Sequence, residues 1–158
     1  MKLKVCLFLL VFFRIVSAKS QILLDADSAK IKAEMDLQGG KFVFNRMQED
    51  LETSKYCYVI LYKFPPKIVL EKGIVHVAYY LTPDNKCYKY FVTYYNDSLY
   101  VPKLTDSFDK PNTGLKRLKD SLTWINSNKN YRLSILPRIP INGKIIPPFI
   151  LEIEKTDN

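Results

Sequence analysis

Ile74-Val75-His76-Val77-Ala78-Tyr79-Tyr80-Leu81, then Thr82-Pro83-Asp84-Asn85-Lys86, then Cys87-Tyr88-Lys89-Tyr90-Phe91-Val92-Thr93-Tyr94-Tyr95: this stretch decides the fold. Two runs rich in β-branched and aromatic residues flank a segment whose Pro, Asp and Asn favour a turn. The spacing predicts an antiparallel hairpin over 73–95. Plain alternation along the return strand puts Tyr88, Tyr90, Val92 and Tyr94 on one face, and Cys87, Lys89, Phe91, Thr93 and Tyr95 on the other.

Working outward, Lys55 to Lys63 has the same β-rich character and reads as a strand that Pro65-Pro66 stops. Residues 25–38 read as a short helix, with Asp25 or Asp27 able to cap it and Gly39-Gly40 ending it. Residues 41–54 fit both a helix, through Phe44, Met47, Gln48 and Leu51, and a strand, through Lys41-Phe42-Val43-Phe44. Leu115, Leu118, Leu122 and Ile125 make an apolar stripe at helical steps, which predicts a helix over 112–126 capped by Asn112 or Thr113. Residues 131–136 and 149–153 read as strands. The Pro-rich segment 137–148 reads as a loop or edge hairpin turning at Asn142-Gly143. Sequential strands with few helices predict an α+β domain: an antiparallel sheet of about five strands, with two or three helices packed on one face.

Lys2 and Lys4 precede nine apolar residues, Val5 to Phe13, and Val16-Ser17-Ala18 supplies the short residues of a cleavage site. Residues 1–18 are therefore expected to be a signal peptide and 19–158 a single secreted or periplasmic domain. A cut after Ser20 fits as well. The apolar run is short of the roughly 20 residues of a span, and no later segment is long enough, so no membrane span is expected in the mature chain. The net charge of +8 falls to about +5 once Lys2, Lys4 and Arg14 leave, which suits an acidic partner better than nucleic acid. Cys6 leaves too. Cys57 and Cys87 remain, an even count in an exported chain, and read as one disulfide.

Catalytic chemistry finds little support. The one histidine, His76, lies mid-strand, where a hydrogen-bonded or exposed strand residue is the ordinary reading. One His and two bridged Cys supply no zinc site. Phosphate-cradling motifs are missing, and no catalytic residue, metal or cofactor is expected. Nine of the eleven tyrosines fall between 56 and 95, among Lys55, Lys63, Lys86 and Lys89. Such a face suits contact with a protein or a glycan, as well as plain half-burial in a sheet. The expected function is a small exported binding domain, inhibitor- or immunity-like or structural, with an envelope glycan or protein as partner. Its candidate surface is Tyr88, Lys89, Tyr90, Tyr94, Asn142 and Gly143. Two alternatives stand beside it: a glycan hydrolase using paired carboxylates, and a carrier of an apolar ligand in a closed cavity.

Overall fold

The computed structural model describes residues 22–50, 52–95, 97–119, 121–126, 128, 130–136 and 150–156; the expected signal peptide over 1–18, and Asn142 and Gly143 with their loop, lie outside the described residues. Among the described residues the chain is α+β. Its helices are α1 (Ser28–Leu37), α2 (Pro66–Lys72) and α3 (Asp97–Phe108). Its strands are β1 (Lys41–Asp50), β2 (Lys55–Lys63), β3 (Ile74–Leu81), β4 (Cys87–Tyr94), β5 (Lys116–Arg117), β6 (Thr123–Asn126), β7 (Tyr131–Leu136) and β8 (Ile150–Lys155).

All eight strands form one antiparallel sheet in the order β1-β2-β3-β4-β8-β7-β6-β5. It is two four-stranded meanders joined where β4 pairs with β8. The chain leaves β4, crosses to the far edge and works back, so its last strand completes the middle. That crossing passes four strand spacings, about 19 Å. The twelve residues of α3 are about 18 Å long, which matches the span.

The sheet therefore has eight strands, not about five. The ambiguous segment 41–50 is strand, because its backbone pairs with the long edge of β2. The helix expected over 112–126 is absent. A 3-10 turn at Pro111–Thr113 and a left-handed Gly114 (φ 70°) break it, and Leu118 of the supposed apolar stripe is exposed. Period-two burial wins instead: Trp124 and Asn126 are buried while Thr123 and Ile125 are only half-buried. Two helices escaped notice. Pro65-Pro66 ends β2, yet Pro66 also opens α2, where a missing N–H costs nothing, and Gly73 (φ 71°) closes it. Pro102 lies inside α3 and masks its pattern. The capping of α1 is as read: the Asp27 carboxylate accepts from the Lys30 amide at 2.8 Å.

One face of the sheet, the inner one, carries the core. Ile60, Tyr62, Val77, Tyr79, Val92, Leu133, Leu151 and Ile153 pack there with Ile31 and Met35 of α1, and with Ile68 of α2 and Leu104 and Phe108 of α3. Trp124, wholly buried, holds Phe108 edge-to-face at 5.2 Å and donates from Nε1 to Asp109 at 2.6 Å. No helix of the described residues is long and apolar enough to cross a membrane.

A bulge in β4 corrects one expectation, and the strand order corrects another. Tyr80 pairs with Lys89 but Leu81 pairs with Cys87, so Tyr88 is an extra residue and alternation resets across it. Cys87 points inward, into the core beside Ala26, while Lys89 points to the outer face. Tyr88 parts from Tyr90 in the same way. The disulfide is the second correction, since Cys57 and Cys87 are both free and buried. Strands β2 and β4 are separated by β3, about 10 Å in strand spacings, against the roughly 7 Å limit for a bridge. The thiols also point to opposite faces: Cys57 pairs with Gln48 outside the core cluster, whereas Cys87 lies within it. Burial pushes the Cys87 thiol up to about 12.

Two thiols per chain should therefore react with a thiol reagent in denaturant when the chain lacks the first eighteen residues, and few without it. A reductant should leave the melting temperature unchanged. A chain that shows no titratable thiol after unfolding without reductant would restore the bridge.

Candidate functional site: a buried charge cluster and an apolar pocket on opposite faces

The outer face gathers charge. Lys89 on β4 is 2% exposed, and its ammonium lies 3.1 Å from Asp50 at the end of β1 and 2.7 Å from Glu52 in the turn that follows. It also sits over the rings of Tyr80 and Phe91, at 5.4 and 5.5 Å. The Tyr88 hydroxyl donates to the same Asp50 carboxylate, at Oδ2, at 2.8 Å. The bulge is what allows this: it turns two successive residues, Tyr88 and Lys89, towards one carboxylate.

Strand register extends the cluster. Glu154 lies opposite Lys89 on β8, Glu152 lies opposite Phe91, and Arg132 of β7 lies opposite Glu154, with which it forms an ion pair. Oxygens of Glu52, Glu152 and Glu154 all lie within 4.8 Å of one another. Glu152 is 4% exposed, and its Oε1 is buried without a hydrogen-bond partner, as is Arg132 Nε.

The titration of these groups follows from their surroundings. Burial raises the Asp50 carboxyl, but hydrogen bonds from Tyr88, the Glu52 amide and Lys89 outweigh it, and the net direction is down. Burial lowers Lys89, and Glu52 and Asp50 overcome that, so the net direction is up. Both are held ionised. Glu152 differs: burial raises it, Glu154 and Glu52 raise it further, and Lys89 and Arg132 only partly compensate. Burial, with Cys57 and Asp50 beside it, holds the Tyr88 hydroxyl neutral. His76 belongs to the same face, half-buried, and burial and Lys63 lower it, so the imidazole is uncharged at neutral pH.

Behind the sheet's inner face lies a pocket of about 380 Å³. Its lining is mostly apolar or aromatic: Tyr79, Tyr90, Tyr94 and Tyr131 from the sheet, with Leu133, Leu151 and Ile153, and Met35, Leu104 and Phe108 from the helices. Gln38, Ser107 and Thr113 supply polar atoms. The Tyr79 hydroxyl reaches the Met35 sulfur at 3.4 Å, and Tyr131 accepts from Asn126 at 3.3 Å. Burial pushes Tyr79 and Tyr90 up, so both stay neutral phenols. A third space, an open cleft of about 540 Å³ at one end of the sheet, is lined by Lys55, Lys86, Lys89 and Lys155 and equally by Asp25, Glu52, Asp84 and Glu154. Its charges balance, and the Lys155–Asp25 pair at 2.6 Å ties two of them together.

The sequence-derived surface is thus divided. Tyr88 and Lys89 belong to the outer cluster, whereas Tyr90 and Tyr94 are buried and line the inner pocket. The four do not form one exposed face. Asp50, Glu52, Glu152, Glu154 and Arg132 were missed as a group. The near-alternation of Glu152 and Glu154 with Leu151 and Ile153 was the one signal for two of them. No family model, curated protein or solved structure matches the chain.

Two stability effects follow. Lys89→Ala leaves Asp50 buried and unpaired and should cost about 3–5 kcal/mol. Glu152→Gln keeps the shape without the charge and should stabilise the chain, in metal-free buffer, by on the order of 1 kcal/mol at neutral pH. The raised pKa of Glu152 means its contribution is fully present below the unfolded value, about 4.3, and is lost as pH rises through the folded one. Denaturant midpoints of wild type and Glu152→Gln should therefore coincide near pH 4 and separate as pH rises. Asp50 has the opposite sign: its contribution is lost as pH falls through its lowered folded value. Equal midpoints for wild type and Glu152→Gln at neutral pH would show that the buried charge carries no cost.

Proposed function

We propose that the protein is a non-catalytic exported binding protein whose ligand is a mainly apolar small molecule with one polar end. The observation that carries this reading is the tyrosine- and aliphatic-lined pocket of about 380 Å³ between sheet and helices. Pockets that bury small ligands fall in the range of roughly 300–1,000 Å³ and combine an apolar wall with a few polar atoms. Here Gln38, Ser107 and Thr113 are the polar atoms, at the helix and turn side of the pocket. The basic start, apolar run and small residues over 1–18 support a secreted or periplasmic place for this binding.

A protein or glycan partner remains the second reading, on the edge hairpin formed by β1 and β2. Phe42, Met47 and Tyr56 are exposed there, with Lys41, Arg46 and Lys55 alongside. The buried positions of Tyr90 and Tyr94 remove two of the three tyrosines on which that reading was built, which favours the pocket.

The test is titration of the chain lacking residues 1–18 with medium- and long-chain fatty acids and with an apolar fluorescent dye. Saturable binding is expected. Leu104→Trp, which places an indole in the pocket from α3, should weaken it by about tenfold or more, equivalent to about 1.4 kcal/mol, with little change in melting temperature. Binding by no probe, or equal binding by the variant, overturns the reading.

A further inference from the structure

We propose that Glu52, Glu152 and Glu154 hold one hard divalent cation, calcium in the first place, on the outer face of the sheet.

The geometry fits. Three carboxylates each bring an oxygen within 4.8 Å of the other two. Oxygens at that limit would lie about 2.8 Å from a common centre, a few tenths of an ångström beyond calcium's roughly 2.3–2.6 Å, so a small closing of the side chains lets one ion reach all three, with water completing the 6–8 ligands calcium takes. The donors are oxygen only, which suits calcium or manganese better than zinc.

The second observation is Glu152 itself. Its Oε1 is buried without a hydrogen-bond partner, in a side chain 4% exposed. An ionised carboxylate in that position is costly unless a cation or a proton meets it. Neither neighbouring base hydrogen-bonds Glu152 Oε1: Lys89 takes Glu52 Oε2 at 2.7 Å and Asp50 at 3.1 Å, and Arg132 takes Glu154 Oε1 through one terminal nitrogen while its Nε has no partner. Glu52 and Glu154 each keep a second oxygen.

Charge points the same way. Asp50, Glu52, Glu152 and Glu154 bring four negative charges, and Lys89 and Arg132 bring two positive ones. The excess of two is what one divalent ion neutralises. Access is open, because Glu52 and Glu154 line the cleft at the end of the sheet. Magnesium should bind more weakly, since it demands tight octahedral geometry and gives up water reluctantly.

Calorimetric titration of the chain lacking residues 1–18 with calcium chloride, after treatment with chelator, tests this. One ion per chain should bind, the melting temperature should rise with calcium, and terbium should give luminescence sensitised by Tyr80 and Tyr88. Glu152→Gln should weaken binding by about tenfold or more, or 1.4 kcal/mol, and Glu154→Gln should act in the same direction should the first variant fold poorly. Glu71→Gln, on exposed α2 away from the cluster, should bind as wild type does. No saturable binding of calcium or manganese, or binding unchanged in both cluster variants, overturns the proposal.

Discussion

Everything in the molecule hangs on the ladder between β4 and β8. Each meander is a four-stranded sheet with an inner strand left unpaired along its length. Pairing those two strands, from Lys89 opposite Glu154 to Thr93 opposite Ile150, converts two open edges into the middle of one sheet. The strands are far apart in sequence, so the closure entropy of some sixty residues is met by a single ladder. The return is that Tyr90, Val92, Leu151 and Ile153 come side by side on the inner face and become the floor of the core. On the outer face the same register sets Lys89 and Phe91 against Glu154 and Glu152. Core and charge cluster are two sides of one pairing.

The faces divide the chemistry. Inward, α1, α2 and α3 cover the sheet, and tyrosines with their rings buried and hydroxyls tethered fill the space without closing it. Outward, the middle of the sheet has no helix against it among the described residues, and polar groups line up across β1, β4, β8 and β7. Net stabilisation does not account for that arrangement. A buried ion pair such as Lys89–Asp50 is at best weakly stabilising relative to apolar residues of the same size, because desolvation consumes the attraction. A third and fourth carboxylate beside it add repulsion. Where a fold keeps like charges together at such cost, ligand binding is a physical reason for keeping them.

Legibility in the sequence followed the range of the forces. The hairpin 73–95, the strand Lys55–Lys63, the strands 131–136 and 149–153 and the cap at Asp27 depend on neighbours a few residues away, and they were readable. The segment 41–50 was not, because the partner that makes it a strand is β2, and local pattern fits two periods equally. The stripe Leu115-Leu118-Leu122-Ile125 misled for a related reason: its spacing is helical, but Gly114 and the period-two burial of Trp124 and Asn126 decide the matter in three dimensions. The bulge at Tyr88 was invisible. One unpaired residue reverses which side every following side chain faces, and no feature of the sequence Cys87-Tyr88-Lys89 announces it. The single tyrosine face rested on unbroken alternation through that point, whereas the disulfide rested on cysteine count and failed on strand order.

The charge cluster shows why site residues are harder to read than elements. Asp50, Glu52, Lys89, Arg132, Glu152 and Glu154 come from five places in the chain, and each alone looks like a surface residue. Their meeting depends on the β1–β2 turn, the bulge and two ladders at once. Shift β8 by one position in its ladders and Glu152 would face the aliphatic core, where its charge would be intolerable. Shift it by two and Glu154 would lose Arg132. The register of the central strands is therefore constrained from both sides, by apolar packing inward and by charge matching outward. The two constraints select the same alignment, and that agreement makes a sheet assembled from distant segments specific rather than merely sticky.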